Sequence, residues 1–242
     1  MNAVPDGSTG AEPGFVRLLL SAFRYPLSGG GGFIITGGAV FFTVAEFIFA
    51  HVSFIGMVLQ VGVLGYLAAF AKDVVRTSAL GEQTPPGWTD FSDWPEDLVR
   101  PAAQFWVVMG LVLGPLIFLH FKHPLPGGTG RAALVIAGLW GVFAGPILFM
   151  AVAMTDSVAA AFNPVPLVRA VMLIFPYYLL TCGFFVGLAG AGVAVGASMA
   201  RVGWIPILPG LVGWWLALYL MTVILRGFGL LYRCHHDELQ WY

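Results

Sequence analysis

Residues 33–71 read FIITGGAVFFTVAEFIFAHVSFIGMVLQVGVLGYLAAFA, with only Glu46, His51 and Gln60 as strongly polar members. A hydrocarbon core of ~30 Å is crossed by about 20 helical residues at a rise of ~1.5 Å each. One helix over the whole stretch would be roughly twice too long for that core. The stretch therefore reads as a tight hairpin of two spans, 33–50 and 52–71, with His51 and Ser53 marking the turn.

Working outward, four further apolar runs follow at about 103–121, 132–154, 170–199 and 204–226. The fifth span, 170–199, is long enough that tilting or projection from the bilayer is expected. Barrel strands would alternate apolar and polar residues in segments of about ten, whereas these runs are continuous. Composition agrees: 59% of the 242 residues are hydrophobic, 10% are charged and mean hydropathy is +0.88. A soluble domain carries about 25% charged residues, so lipid must solvate much of this chain. The expected fold is all-α, a polytopic transmembrane helical bundle of about six spans with short interfacial helices.

The division follows from these runs. Residues 1–14 form a polar tail without the basic start and apolar core of a signal peptide. Residues 15–32 hold an expected in-plane helix over about 16–27, then the joint Gly29-Gly30-Gly31-Gly32. On that helix Phe15, Leu18, Leu19, Ala22 and Phe23 could share a face while Arg17 and Arg24 reach headgroups; a plain juxtamembrane linker is the alternative. The bundle occupies 33–226, with a loop over 72–101, and 227–242 is a C-terminal tail. Arg17, Arg24, Lys72, Arg76, Arg100, Arg169, Arg226 and Arg233 fall on one side, against Lys122, Arg131 and Arg201 on the other. Eight against three puts both termini in the cytoplasm.

The 72–101 loop is the most distinctive stretch. Pro85, Pro86 and Gly87 break any helix. Ser92 or Asp93 can cap a new turn containing Pro95, Glu96 and Asp97. Trp88 and Trp94, with Pro85 and Pro86, read as an interfacial loop, since Trp favours the membrane–water boundary.

Small residues four apart (Gly110/Gly114, Gly141/Gly145, Gly183/Gly187, Gly192/Gly196) allow close helix approach in lipid. Ordinary packing explains most of them, with oligomerisation through Gly-rich faces as the second reading. Their density makes the fifth span the expected central helix. Pro146 and Pro176 could kink the spans that hold them.

The candidate functional polar residues are Glu46, His51 and Gln60. A carboxylate inside lipid is by default a functional hypothesis. Near a helix end, however, Glu46 can reach the interface, or it can pair with His51 or another span. Gln60 suits an interhelical hydrogen bond. Asp156 is expected to cap the segment after the fourth span. His120, Lys122 and His123 supply too few convergent ligands for a metal. The tail Cys234-His235-His236-Asp237-Glu238 has no second ligand cluster, and reads as a solvated end returning to the interface through Trp241 and Tyr242. Cys182 and Cys234 sit too far apart in depth to bridge. Neither GxSxG, GxGxxG after a strand nor HExxH occurs, so no catalytic residue and no cofactor is expected. Scattered single basic residues argue against nucleic-acid binding.

Gly65-Tyr66, Lys72-Asp73-Val74-Val75-Arg76, Gly81, Pro85-Pro86-x-Trp88 and Asp90 resemble the signature of a family of bacterial and archaeal membrane proteins, domain of unknown function 4013. Ala161-Phe162-Asn163-Pro164 with Arg169 is similar to the loop before that family's next span. The resemblance implies a multi-span helical protein, placed in a bacterial inner membrane, and carries over no activity and no functional residue. The expected role is a non-enzymatic scaffold or accessory subunit, contacting lipids and protein partners or further copies of itself. A small transporter or channel component using Glu46, Gln60 and the Gly-rich fifth span is the alternative.

Overall fold

The computed structural model describes residues 12–51, 53–88, 95–122, 128–199, 208–239 and 241. Among them the secondary structure is helical throughout, with no strand. An amphipathic helix α1 (Glu12–Ser21) leads through a 3-10 segment, Tyr25–Gly30, into α2 (Gly31–His51) and α3 (Ser53–Leu80). A single π turn, Pro95–Val99, opens α4 (Arg100–Lys122), followed by α5 (Gly128–Thr155). The short α6 (Ala159–Phe162) and α7 (Pro164–Leu173) precede α8 (Phe175–Met199), α9 (Leu208–Cys234) and α10 (His236–Leu239).

Five stretches are long and apolar enough to cross a membrane, ending in α2, α4, α5, α8 and α9 respectively. The chain is a multi-pass membrane protein. The sixth expected span, 52–71, is the first part of α3, a helix of 28 residues whose later half carries Lys72, Asp73 and Arg76. Val63, Tyr66 and Leu67 of α3 pack with Ile35 and Phe42 of α2 and with Trp214 and Trp215 of α9. α3 thus runs alongside both through the bundle. α2 and α3 lie side by side, with Phe41 against Tyr66; Val52 and the His51 and Ser53 side chains, where the turn was expected, lie outside the described residues.

Successive long helices alternate in direction. Gly31 at the start of α2 lies against Pro85, beyond the end of α3. Gln104 at the start of α4 bonds both Lys72 near the end of α3 and Asp156 just past α5. Tyr177 at the start of α8 packs on His235 at the end of α9. One end of the bundle therefore gathers α1, α10, the 81–88 loop and the α5–α8 connection.

α3, α4, α5, α8 and α9 form a ring, with α2 outside the α3–α9 pair. The α3–α9 junction is tightest because Gly229 lies directly on Ser78, with the Val75 carbonyl 2.6 Å from where a Cβ would stand. Backbone contact of that kind substitutes for the hydrophobic drive that lipid does not supply. The central helices are α3 and α9, not the Gly-rich α8 as expected. Gly183, Gly187, Gly190 and Gly196 of α8 face open space, because small residues permit a close approach without requiring one.

Other boundaries differ for local reasons. The expected fifth span, 170–199, is not one tilted helix but α7 and α8, broken at Ile174 (φ −109°, ψ 23°). Pro176 has no N–H for the carbonyl four residues back, and its ring crowds that carbonyl. The amphipathic helix starts earlier than 16 and stops at Ser21. The Gly-rich joint is a packed corner rather than a flexible one: Gly29 takes φ 53°, and a Cβ on it would overlap Thr84. Residues 227–232 are buried within α9 instead of forming a solvated tail. Lys72 and Arg76 are helical, not in a loop, because α3 continues to Leu80. Gly81 (φ 88°) ends it, with the amides of Gly81 and Glu82 donating to the carbonyls of Ser78 and Thr77. This is the Schellman closure that glycine favours.

Candidate functional site

Polar side chains concentrate at the gathered end, on three consecutive long helices. Lys72 lies near the end of α3, Gln104 in the second turn of α4, and Asp156 at the residue after α5. Lys72 Nζ donates to Gln104 Oε1 at 3.1 Å and to Asp156 Oδ1. Gln104 Nε2 donates to the Asp156 carbonyl and to Oδ1, each at 3.0 Å. Arg76 Nε donates to the Ala153 carbonyl at 2.7 Å, and its Nη2 stands 3.8 Å from Asp156 Oδ2. Arg100 pairs with Glu96 at 3.0 Å and reaches Asp156 Oδ2 at 3.4 Å. The result is a clamp that ties α3, α4 and α5 together through one carboxylate.

Asp156 does not cap the following segment, as the sequence suggested. Its φ is 55°, a left-handed conformation that few residues other than glycine adopt. That turn reverses the chain directly after α5 and points the carboxylate back to Lys72. α6 begins without a side-chain cap.

Burial sets the protonation behaviour. Desolvation lowers the Lys72 pKa below its ordinary value, opposed by the hydrogen bond to Asp156. For Asp156, burial alone would raise the carboxyl. Hydrogen bonds from Lys72 and Gln104, with the charges of Lys72 and Arg76, outweigh that and hold it below the ordinary carboxylate range. Asp156 is therefore ionised at neutral pH and is the counter-charge that favours the protonated form of Lys72.

Between the ring helices lies a chamber of about 470 Å³, widely open on one side, whose lining side chains are all apolar and come from α3, α4, α5, α8 and α9. Phe105 and Phe149 line both this chamber and a small hollow under Lys72 and Gln104. Clamp and chamber therefore share a wall.

The residues singled out from sequence do not converge. Glu46 is exposed and accepts from Trp214 Nε1 of α9 at 2.8 Å. Gln60 is exposed on α3. Trp88 is drawn into the bundle rather than lying at the interface: it stacks on Tyr66 and Phe70, and its Nε1 donates to the Ile34 carbonyl at 3.0 Å. Pro85 is buried against Gly31 and Pro86 is half-buried. Trp94, Lys122's side chain, His123 and Arg201 lie outside the described residues. His120 is exposed beside Phe121. His235 is buried against Phe15 and Tyr177. Cys182 is buried and Cys234 exposed, both as free thiols. Among the described residues no three His, Cys, Asp or Glu side chains gather as a metal site would require.

The sequence reading did not bring the clamp together: Lys72 counted as an orientation charge, Asp156 as a cap, and Gln104 was not singled out. The available signal was depth. All three sit at the same end of consecutive apolar runs.

No family model matches the chain, and neither a curated protein nor a solved structure matches it.

Proposed function

We propose that this chain is a non-enzymatic scaffold or accessory subunit of a membrane assembly, with its clamped end in the cytoplasm. The observation that carries the reading is the outer face of α8. Gly183, Gly187, Gly190 and Ala194 recur at helical spacing along one exposed stripe, and no heavy atom stands within 4 Å of where a Cβ would lie on the three glycines. Small residues repeated four and seven apart on a lipid-facing helix suit direct backbone packing by a second transmembrane helix. The charged groups support the same reading, since they tie this chain's own helices together.

A small transporter component would need polar groups along a path. Glu46, Gln60 and the α8 glycines lie apart, and the chamber walls are apolar, which favours the scaffold reading.

The test is Gly187→Leu, with Gly138→Leu as the control at another glycine with open space around it. After gentle solubilisation, size and composition are read by native mass spectrometry. The scaffold reading expects a complex, with this chain or another protein, that Gly187→Leu dissociates and Gly138→Leu spares. A monomer with no stable protein partner in the unaltered chain contradicts it.

A further inference from the structure

We propose that the central chamber binds one acyl chain of an anionic glycerophospholipid, with its phosphate held by Arg76 and Arg100. The inference is independent of the scaffold reading.

The chamber is the right kind of space for a hydrocarbon chain. Its volume of about 470 Å³ lies between the ring helices, and its walls offer no polar side chain to satisfy water. Water in an apolar cavity needs two to four polar partners, whereas a lipid tail needs only apolar contact. Small residues create the space: Gly141 and Gly145 of α5 and Ala189 and Gly192 of α8 line it.

The ring also has a side entrance. α5 and α8 form its sparsest junction, held around Phe143, where the Tyr178 hydroxyl donates to the Phe143 carbonyl. Val193, 74% exposed, lines the chamber from α8 and marks the opening to lipid.

Charge complementarity identifies the headgroup. The chamber extends to Ala71, Phe105 and Phe149, and the last two also floor the hollow beneath Lys72. Within the clamp, Asp156 Oδ1 is taken by Lys72 and Gln104. Arg76 Nε donates to the Ala153 carbonyl, and Arg100 donates to Glu96 Oε2 and, at 3.2 Å, to the Asp156 carbonyl; from Oδ2 the two stand at 3.8 and 3.4 Å. Both are partly exposed, at 31% and 49% of the side chain. Their remaining N–H groups can take phosphate oxygens by charge-assisted hydrogen bonds. Asp73, Glu96 and Asp97 stand nearby in sequence, so direct hydrogen bonding, rather than a diffuse positive field, holds the phosphate. Phe105 and Phe149, which line both spaces, are where the acyl chain approaches the headgroup end.

The test is native mass spectrometry of the full chain, delipidated in detergent and titrated with phosphatidylglycerol or phosphatidylcholine carrying the same acyl chains. The expected result is one bound phosphatidylglycerol, preferred about tenfold over phosphatidylcholine. Ala217→Phe fills the chamber and should remove binding of both. Arg76→Gln with Arg100→Gln should abolish the preference yet leave chain binding. If Ala217→Phe does not fold, Ala189→Leu serves, with an unchanged unfolding temperature as the check. Equal retention of the two lipids by the unaltered chain overturns the headgroup assignment. Binding unaffected by a folded chamber-filling variant overturns the chamber, as does a second copy that displaces lipid from it.

Discussion

Asp156 holds a φ of 55° while its carboxylate and carbonyl together receive Lys72, Gln104 and Arg100. Strain of this kind persists only where the surroundings over-determine it, and here three helices do so. Asp156→Asn keeps the shape but leaves Lys72 without its counter-charge. The cost should be about 1–3 kcal/mol, below that of a fully buried pair because the Asp156 side chain is 34% exposed. Thermal unfolding in detergent measures it. The pH dependence follows from a depressed carboxyl: its contribution is complete above the ordinary value of 3.8 and is lost as pH falls through the lower folded value. The unaltered chain should therefore lose stability below about pH 4 in a step that Asp156→Asn lacks. Gly81→Ala tests the end of α3. A Cβ there meets φ 88° and stands 2.7 Å from Arg233 Cζ, so a loss of about 1–2 kcal/mol is expected in the same assay. None of this was legible residue by residue. A lone Lys after an apolar run reads as an orientation signal, and an Asp before Ser reads as a cap. Only the pairing of helices shows that they meet.

At the scale of elements, the 81–88 loop is a strap rather than a surface feature. Arg226 of α9, buried in the core, donates to the Glu82 carbonyl at 2.6 Å and lies over the Tyr25 ring at 4.3 Å. Ser28 Oγ donates to the Gln83 carbonyl at 2.7 Å. Trp88 then closes the aromatic set with Phe42, Tyr66 and Phe70. Trp88→Ala should cost about 2–4 kcal/mol, from lost burial and stacking. Limited proteolysis should find new cleavage between 81 and 88, while cleavage unchanged from the unaltered chain would mean that the strap holds without its Trp. The helices themselves were legible, because continuous apolar runs of that length have few alternatives in lipid. The hairpin at 51–53 followed from length alone. The depth of Trp88 was not legible, since an aromatic flanking a span serves equally at the interface or in the core. The α7–α8 break was half legible: Pro176 marked a kink, but hydropathy runs unbroken across Ile174.

At the scale of the whole molecule, five stretches are long and apolar enough to cross a membrane, and the proposed topology adds a sixth traverse by α3, which packs beside α2 and α9. A ring open to lipid at α5–α8 needs α3 to return to the clamped end, and the eight-to-three distribution of basic residues is what supports the proposal that this end is cytoplasmic. The most direct measurement is labelling by a membrane-impermeant thiol reagent in oriented vesicles, using single cysteines in a chain lacking Cys182 and Cys234. Positions Phe49 and Phe121 should react from one side only, and Glu82, Ser157 and Glu238 only from the other. Labelling of Phe49 from the same side as Glu82 would contradict the hairpin, leaving five traverses and no ring.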